Sequence, residues 1–177
     1  IRELLYLLRK RIWIILLTGI ISAIAAGFVS NYMMTPLYTS KAQLYVLSKT
    51  TSITSLADIQ IGTQLTQDYM VLIKSRPVVN QVIENLNLNM SYENLKKMLT
   101  VTNPNNTRIL EIEITYPNAY IAKKIVDEFA YVATEQIAKI MRTEAPSIVE
   151  EGYVPTIPSE PNVKRNIAIG GLLGILI

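Results

Sequence analysis

The 177 residues include no cysteine and no histidine. The first absence excludes disulfide frameworks, thiolate-bound zinc, iron–sulfur clusters and thiol nucleophiles. The second removes the most used general base and the commonest transition-metal ligand. There is also no Gly-rich phosphate loop, no nucleophile elbow and no EF-hand spacing. Catalysis would have to come from carboxylate pairs or from Lys and Tyr. The chain is therefore read as non-enzymatic, with no cofactor and no metal. Charge is scarce too, at 18% of residues, and none falls between Ile12 and Ser40.

Half of the residues are hydrophobic, and the excess gathers at the two ends. Residues 12–34 supply the roughly 20 apolar positions a helix needs to cross a bilayer, with Trp13 and Tyr32 suited to the two interfaces. Arg2, Arg9, Lys10 and Arg11 precede this run, opposed only by Glu3. Basic residues are retained on the cytoplasmic side, so residues 1–11 are expected inside and residue 35 onward outside. Ile167 to Ile177 contains only Ile, Ala, Leu and Gly and reads as the start of a second, truncated span. That span would return the chain to the cytoplasm, giving a two-pass protein with both termini inside. Lys164 and Arg165 would then lie outside, an exception that long translocated segments tolerate. Gly19, Ala23 and Gly27, and again Gly170 and Gly174, recur every four residues, the spacing that lets membrane helices approach closely. The net charge of +3 comes from scattered basic residues without aromatic interleaving, so nucleic acid is not an expected partner.

Residues 35–154 carry the pattern of a folded α/β domain. Tyr38 to Leu47 alternates, with Ala42, Leu44 and Val46 on one face and Lys41 and Gln43 on the other. Residues 48–55 are rich in Ser and Thr and read as a loop. A helix is expected over residues 56–75, with Ile59, Thr63, Tyr69, Leu72 and Ile73 near one face. Ser75 then caps a second helix with Pro77 in its first turn, and Val78, Val79, Val82, Ile83 and Leu86 form its stripe. Ser91 caps a short helix over Tyr92 to Met98. Leu99 to Thr102, a Pro104 and asparagine turn, and Arg108 to Ile114 read as strand, turn, strand. Pro117 opens the longest soluble helix, to about Arg142, with a stripe of Ala122, Ile125, Val126, Phe129, Val132, Ala133, Ile137 and Ile140. A last strand is expected over Ile148 to Val154. The expected architecture is α/β (α+β), a mixed sheet with packed helices and one long helix, between two transmembrane helices.

Few residues here suggest chemistry. Glu111 and Glu113 share one strand face and read as solvated rather than catalytic. Arg108, directly after the turn, is an edge charge or a contact for an anionic glycan, a lipid headgroup or another subunit. The most specific stretch is residues 155–166, where Pro155, Pro158 and Pro161 stand three apart and Lys164, Arg165 and Asn166 follow. Such spacing favours polyproline II, a stiff strut beside the second span.

Taken together, several marks resemble the polysaccharide chain-length determinant (Wzz-type) family, in its Gram-positive capsule and exopolysaccharide branch. They are the basic flank and first span, Leu44-Tyr45-Val46, Asp68-Tyr69 leading into Ile73-Lys74-Ser75, Val101-Thr102 to Thr107-Arg108-Ile109, and Pro158 to Asn166 before the second span. The resemblance covers essentially the whole chain. It implies a non-enzymatic regulator of polymer length in lipid-linked polysaccharide assembly, a polysaccharide co-polymerase acting as a homo-oligomeric ring in the bacterial cell membrane. It also implies a polysaccharide polymerase and a cytoplasmic tyrosine kinase as partners, the kinase engaged through a C-terminal tail not present in this sequence. A two-span sensor that binds a ligand outside the cell is the alternative.

Overall fold

The structure, a computed structural model, describes residues 2–46, 56–142 and 144–176. The loop at residues 48–55, the strand end at Leu47 and the face assigned to Ile59 and Thr63 fall outside what is described. In chain order the elements are α1 (Arg2–Tyr32), β1 (Tyr38–Tyr45), α2 (Leu56–Ile73), α3 (Arg76–Asn85), α4 (Tyr92–Met98), β2 (Leu99–Thr102), β3 (Ile109–Tyr116), α5 (Ala119–Met141), β4 (Ser147–Glu150) and α6 (Val163–Leu176). They form two compact units: residues 38–157, and the segment up to Leu37 together with Pro158 onward.

In the α/β unit, side chains alternate across the sheet because successive residues of a strand point to opposite faces. Ala42 and Leu44 of β1 and Leu110, Ile112 and Ile114 of β3 are buried on one face. The two strands pair antiparallel over eight residues, from Tyr38↔Tyr116 to Tyr45↔Ile109. Pro104–Asn106 closes the β2–β3 hairpin, and β4 adds antiparallel to the other side of β1. The order is β2-β3-β1-β4. The expected mixed sheet is corrected: every neighbouring pair is antiparallel. β3 and β4 do run parallel, linked by α5 as a crossover, but β1 is inserted between them.

The apolar stripe of α5 covers the buried sheet face. Ala122, Ile125, Val126, Phe129, Ala130, Val132, Ala133 and Ile137 are all buried. Ile140, expected in the stripe, is exposed. At 3.6 residues per turn the position above Ile137 is Met141, which packs against the core in its place. The cap of α5 is Asn118, whose side-chain oxygen accepts from the N–H groups of Tyr120 and Ile121 at 3.0 and 3.1 Å. Pro117, the expected opener, has no side-chain acceptor and stands one residue outside. Ser91 caps α4 as expected, accepting from the Asn94 N–H. Ser75 precedes α3 but makes no capping bond, and its hydroxyl is buried without a partner. A cap binds the second or third N–H of the helix; Pro77 removes the second, and the third, of Val78, is not bonded to the Ser75 hydroxyl.

β4 ends at Glu150, short of the expected Val154. Beyond it the backbone bonds to side chains instead of to the backbone of β1. The Gly152 N–H donates to Asp127 Oδ1 at 2.6 Å, and the Ser40 hydroxyl donates to the Tyr153 carbonyl at 2.6 Å. A Cβ on Gly152 would meet Val126 Cγ1 and stand 2.8 Å from Asp127 Oδ1.

In the helical unit, α1 is longer than the expected span and takes in the basic flank. Its apolar stretch, Arg11–Tyr32, has a mean hydropathy of 2.4 over its best window and is long enough to cross a membrane. Met33 and Met34 lie past its end. The last helix begins at Val163 rather than at residue 167, because Asn162 Oδ1 accepts from the Arg165 N–H at 3.0 Å and caps it. Lys164, Arg165 and Asn166 therefore occupy its first turn.

Gly152→Ala forces a methyl into the packed contact with Val126. The expected cost is about 1–3 kcal/mol, seen as a lower urea midpoint with an unchanged slope. An unchanged midpoint would mean the close approach is not needed for stability.

Candidate functional site

Helices α1 and α6 meet along small residues. A Cβ on Gly170 would meet the Ala26 Cβ and stand 3.0 Å from the Ser22 carbonyl. One on Gly174 would stand 2.5 Å from Ser22 Oγ and 2.7 Å from the Thr18 carbonyl. One on Gly19 would stand 2.8 Å from Ile175 Cγ1, and one on Gly27 would stand 3.0 Å from Ile167 Cγ1. Ala23 faces Gly171 at ordinary contact distance, 3.5 Å from where a Cβ would sit. The sequence reading missed Ser22, Ala26 and Ser30, a second row at four-residue spacing. Ser30 is buried, and its hydroxyl accepts from Asn166 Nδ2 at 2.8 Å.

The proline stretch, expected as a stiff strut, is tied by hydrogen bonds to Leu37. The Leu37 N–H donates to the Glu160 carbonyl at 2.9 Å, and the Ser159 N–H donates back to the Leu37 carbonyl at 2.8 Å. The Ser159 hydroxyl donates to the same carbonyl at 3.1 Å, and the Glu160–Pro161 peptide is cis. The stretch is also not one element. Pro155 is buried in the α/β unit, while Pro158 and all that follows belong to the helical unit. Pro158, Lys164 and Arg165 are exposed and Pro161 is half-buried.

On the open face of the sheet, Lys41 sits opposite Glu113 in the strand register. Its Nζ is 2.6 Å from Glu113 and 3.0 Å from Glu111, and Gln43 Nε2 donates to Glu111 at 3.4 Å. The two carboxylates are thus half-buried and ion-paired, which corrects the solvated reading. The hydrogen bond to Glu113 is the main influence holding the Lys41 ammonium above its ordinary value; Glu111 adds to this and partial burial opposes it. Glu111 is held below its ordinary value, chiefly by a hydrogen bond with Glu113, against partial burial and with help from Lys41. Arg108 is half-buried just before β3, and its carbonyl accepts from the Val46 N–H at 2.9 Å. Among the described residues no group of His, Cys, Asp or Glu is placed to hold a metal ion.

The sequence model of the Wzz chain length determinant protein family matches residues 1–86. Capsular polysaccharide biosynthesis protein CpsC of Streptococcus agalactiae is 32% identical over 174 residues, spanning 97% of this chain and 76% of that protein. This chain belongs to the Wzz chain-length determinant family. Two further relatives extend the comparison within the Gram-positive branch. CpsC of Streptococcus pneumoniae is 32% identical, over 98% of this chain and 77% of its own length. The probable capsular polysaccharide biosynthesis protein YwqC of Bacillus subtilis is 29% identical, over 99% of this chain and 72% of its own length.

Two outcomes follow from the geometry of this family member. Lys41→Met leaves two neighbouring carboxylates unpaired. Because Lys41 is 39% exposed, solvent screening limits the cost to about 1 kcal/mol at neutral pH. Glu111, with a lowered folded value, contributes stability above its unfolded value that is lost as pH falls through the folded one. Lys41, with a raised value, contributes below its unfolded value and loses its contribution on the alkaline side. The gap between wild type and Lys41→Met in denaturant unfolding should therefore narrow in acid and in strong base. A gap independent of pH would remove the ion pairs as its cause. The second outcome concerns the helix seam. With no native cysteine, a Ser30→Cys/Asn166→Cys pair should form a disulfide readily. Adding Gly174→Leu should cut the yield several-fold on a non-reducing gel, and an undiminished yield would show that the seam tolerates bulk.

Proposed function

We propose that this chain sets polymer length in capsular or exopolysaccharide assembly as a non-enzymatic, two-pass membrane protein. The observation that carries the reading is its similarity to capsular polysaccharide biosynthesis proteins over nearly its whole length, both apolar ends included. The apolar stretch of α1 supports membrane insertion, and the arginines and lysine before it favour a cytoplasmic N-terminus. The α/β unit, residues 38–157, would then lie outside the cell and the chain would return through α6. In this reading the protein works as a homo-oligomer beside a polysaccharide polymerase and its lipid-linked glycan. A cognate tyrosine kinase would be engaged on the cytoplasmic side.

Regulation without catalysis suits the ion-paired Glu111 and Glu113. Both carboxylates are ion-paired to Lys41.

The test is the glycan size distribution of a deletion strain carrying either the wild-type gene or a Pro158→Ala/Pro161→Ala version. Deletion should shift or abolish the high-molecular-weight mode. The double variant should shift that mode while membrane levels of the protein stay normal. An unchanged distribution after deletion, in a strain that makes polysaccharide, would sink the reading.

A further inference from the structure

We propose that the α1/α6 pair seats one anionic membrane lipid, with an acyl chain in the groove along its seam and the phosphate headgroup beside Arg165. This rests on the two-span reading above. A groove of about 420 Å³ runs along the pair between Ala25, Ala26 and Val29 of α1 and Ile169, Gly170 and Leu173 of α6. At one end its lining passes through Met34 to the polar side chains of Ser30 and Asn166. A second concavity of about 250 Å³ continues from there, sharing Met34 and Asn166 and bordered further by Thr35, Glu160, Asn162 and Arg165. An apolar trough that opens into a polar cup with a cation on its rim has the form of an amphiphile with a negative head.

The charges point the same way. Lys164 and Arg165 lie in the first turn of α6, where the helix dipole is positive and cations are disfavoured. Outside the cell they also run against the topological preference for basic residues within. Neither forms an ion pair or a side-chain hydrogen bond among the described residues. A phosphate removes both costs, since the start of a helix is a natural seat for an anion. Glu160 is the one carboxylate bordering the cup and Arg165 the one cation there, with Lys164 next to it in the same helix turn. A second copy of the chain is a poorer occupant, because bringing two such seams together also brings two Lys164–Arg165 pairs together. A lipid meets the groove without that repulsion.

The experiment reconstitutes the full chain in nanodiscs holding equal amounts of phosphatidylcholine and phosphatidylglycerol, then counts retained lipids by native mass spectrometry. Two cations near a headgroup should favour the anionic lipid by roughly tenfold. Lys164→Gln/Arg165→Gln should bring retention to parity. Ala25→Phe, which fills the groove and spares both cations, should lower retention of both lipids. Parity in the wild type, or an unchanged preference in the glutamine variant, overturns the proposal. So does a high disulfide yield between copies carrying Leu173→Cys, which would place another helix in the groove. Parity alongside a glycan profile that depends on the gene removes the lipid seat alone. A clear preference alongside a glycan profile indifferent to deletion removes the chain-length reading alone.

Discussion

The antiparallel register of β1 on β3 decides what the rest of the α/β unit can be. Ala42 stands opposite Ile112 and Leu44 opposite Leu110, while Lys41 faces Glu113 on the other side. A slip of one residue exchanges the two faces of a strand. It would press the Lys41 ammonium under α5 and turn Leu44 to solvent. The apolar pairs inside and the ion pairs outside select the same register, and α5 packs on the result. Phe129, at the centre of its stripe, is fully buried.

What could be read from the chain follows the range of the interaction that sets it. The alternation of β1 and β3, the stripe of α5, the Pro104 hairpin and the Ser91 cap are local and were legible. The insertion of β1 between β3 and β4 is a choice between distant partners, and no nearby residue announces it. Lys41 and the two glutamates show the same limit: that each lies on the polar face follows from alternation, but that they meet follows only from strand order. Ser75 stands where a cap is expected, but Pro77 leaves it one possible donor rather than two. The start of α6 was signalled by Asn162 and obscured by Lys164 and Arg165, charges that look out of place at the beginning of an apolar helix.

The helical unit adds a related lesson. Glycine draws the eye in an apolar run, and Gly19, Gly27, Gly170 and Gly174 do lie on the seam. Yet Gly170 and Gly174 approach the row formed by Ser22, Ala26 and Ser30, where serine supplies both small size and a hydroxyl. In a hydrocarbon setting such hydroxyls need internal partners, and Asn166 provides one for Ser30. Close approach and polar pairing thus come from the same few positions.

The central position of β1 also sets an order of events. This strand is made early, yet both its neighbours, β3 and β4, lie far later in the chain. Contacts so distant in sequence close slowly. During synthesis β1 therefore presents two unpaired edges while the three helices and β2 that separate it from β3 are still emerging. The β2–β3 hairpin, being local, is ready first and provides the edge on which β1 docks. Only then can α5 cross over and deliver β4. A nascent chain halted before residue 147 would leave β1 as an edge strand, with the side that β4 covers unpaired.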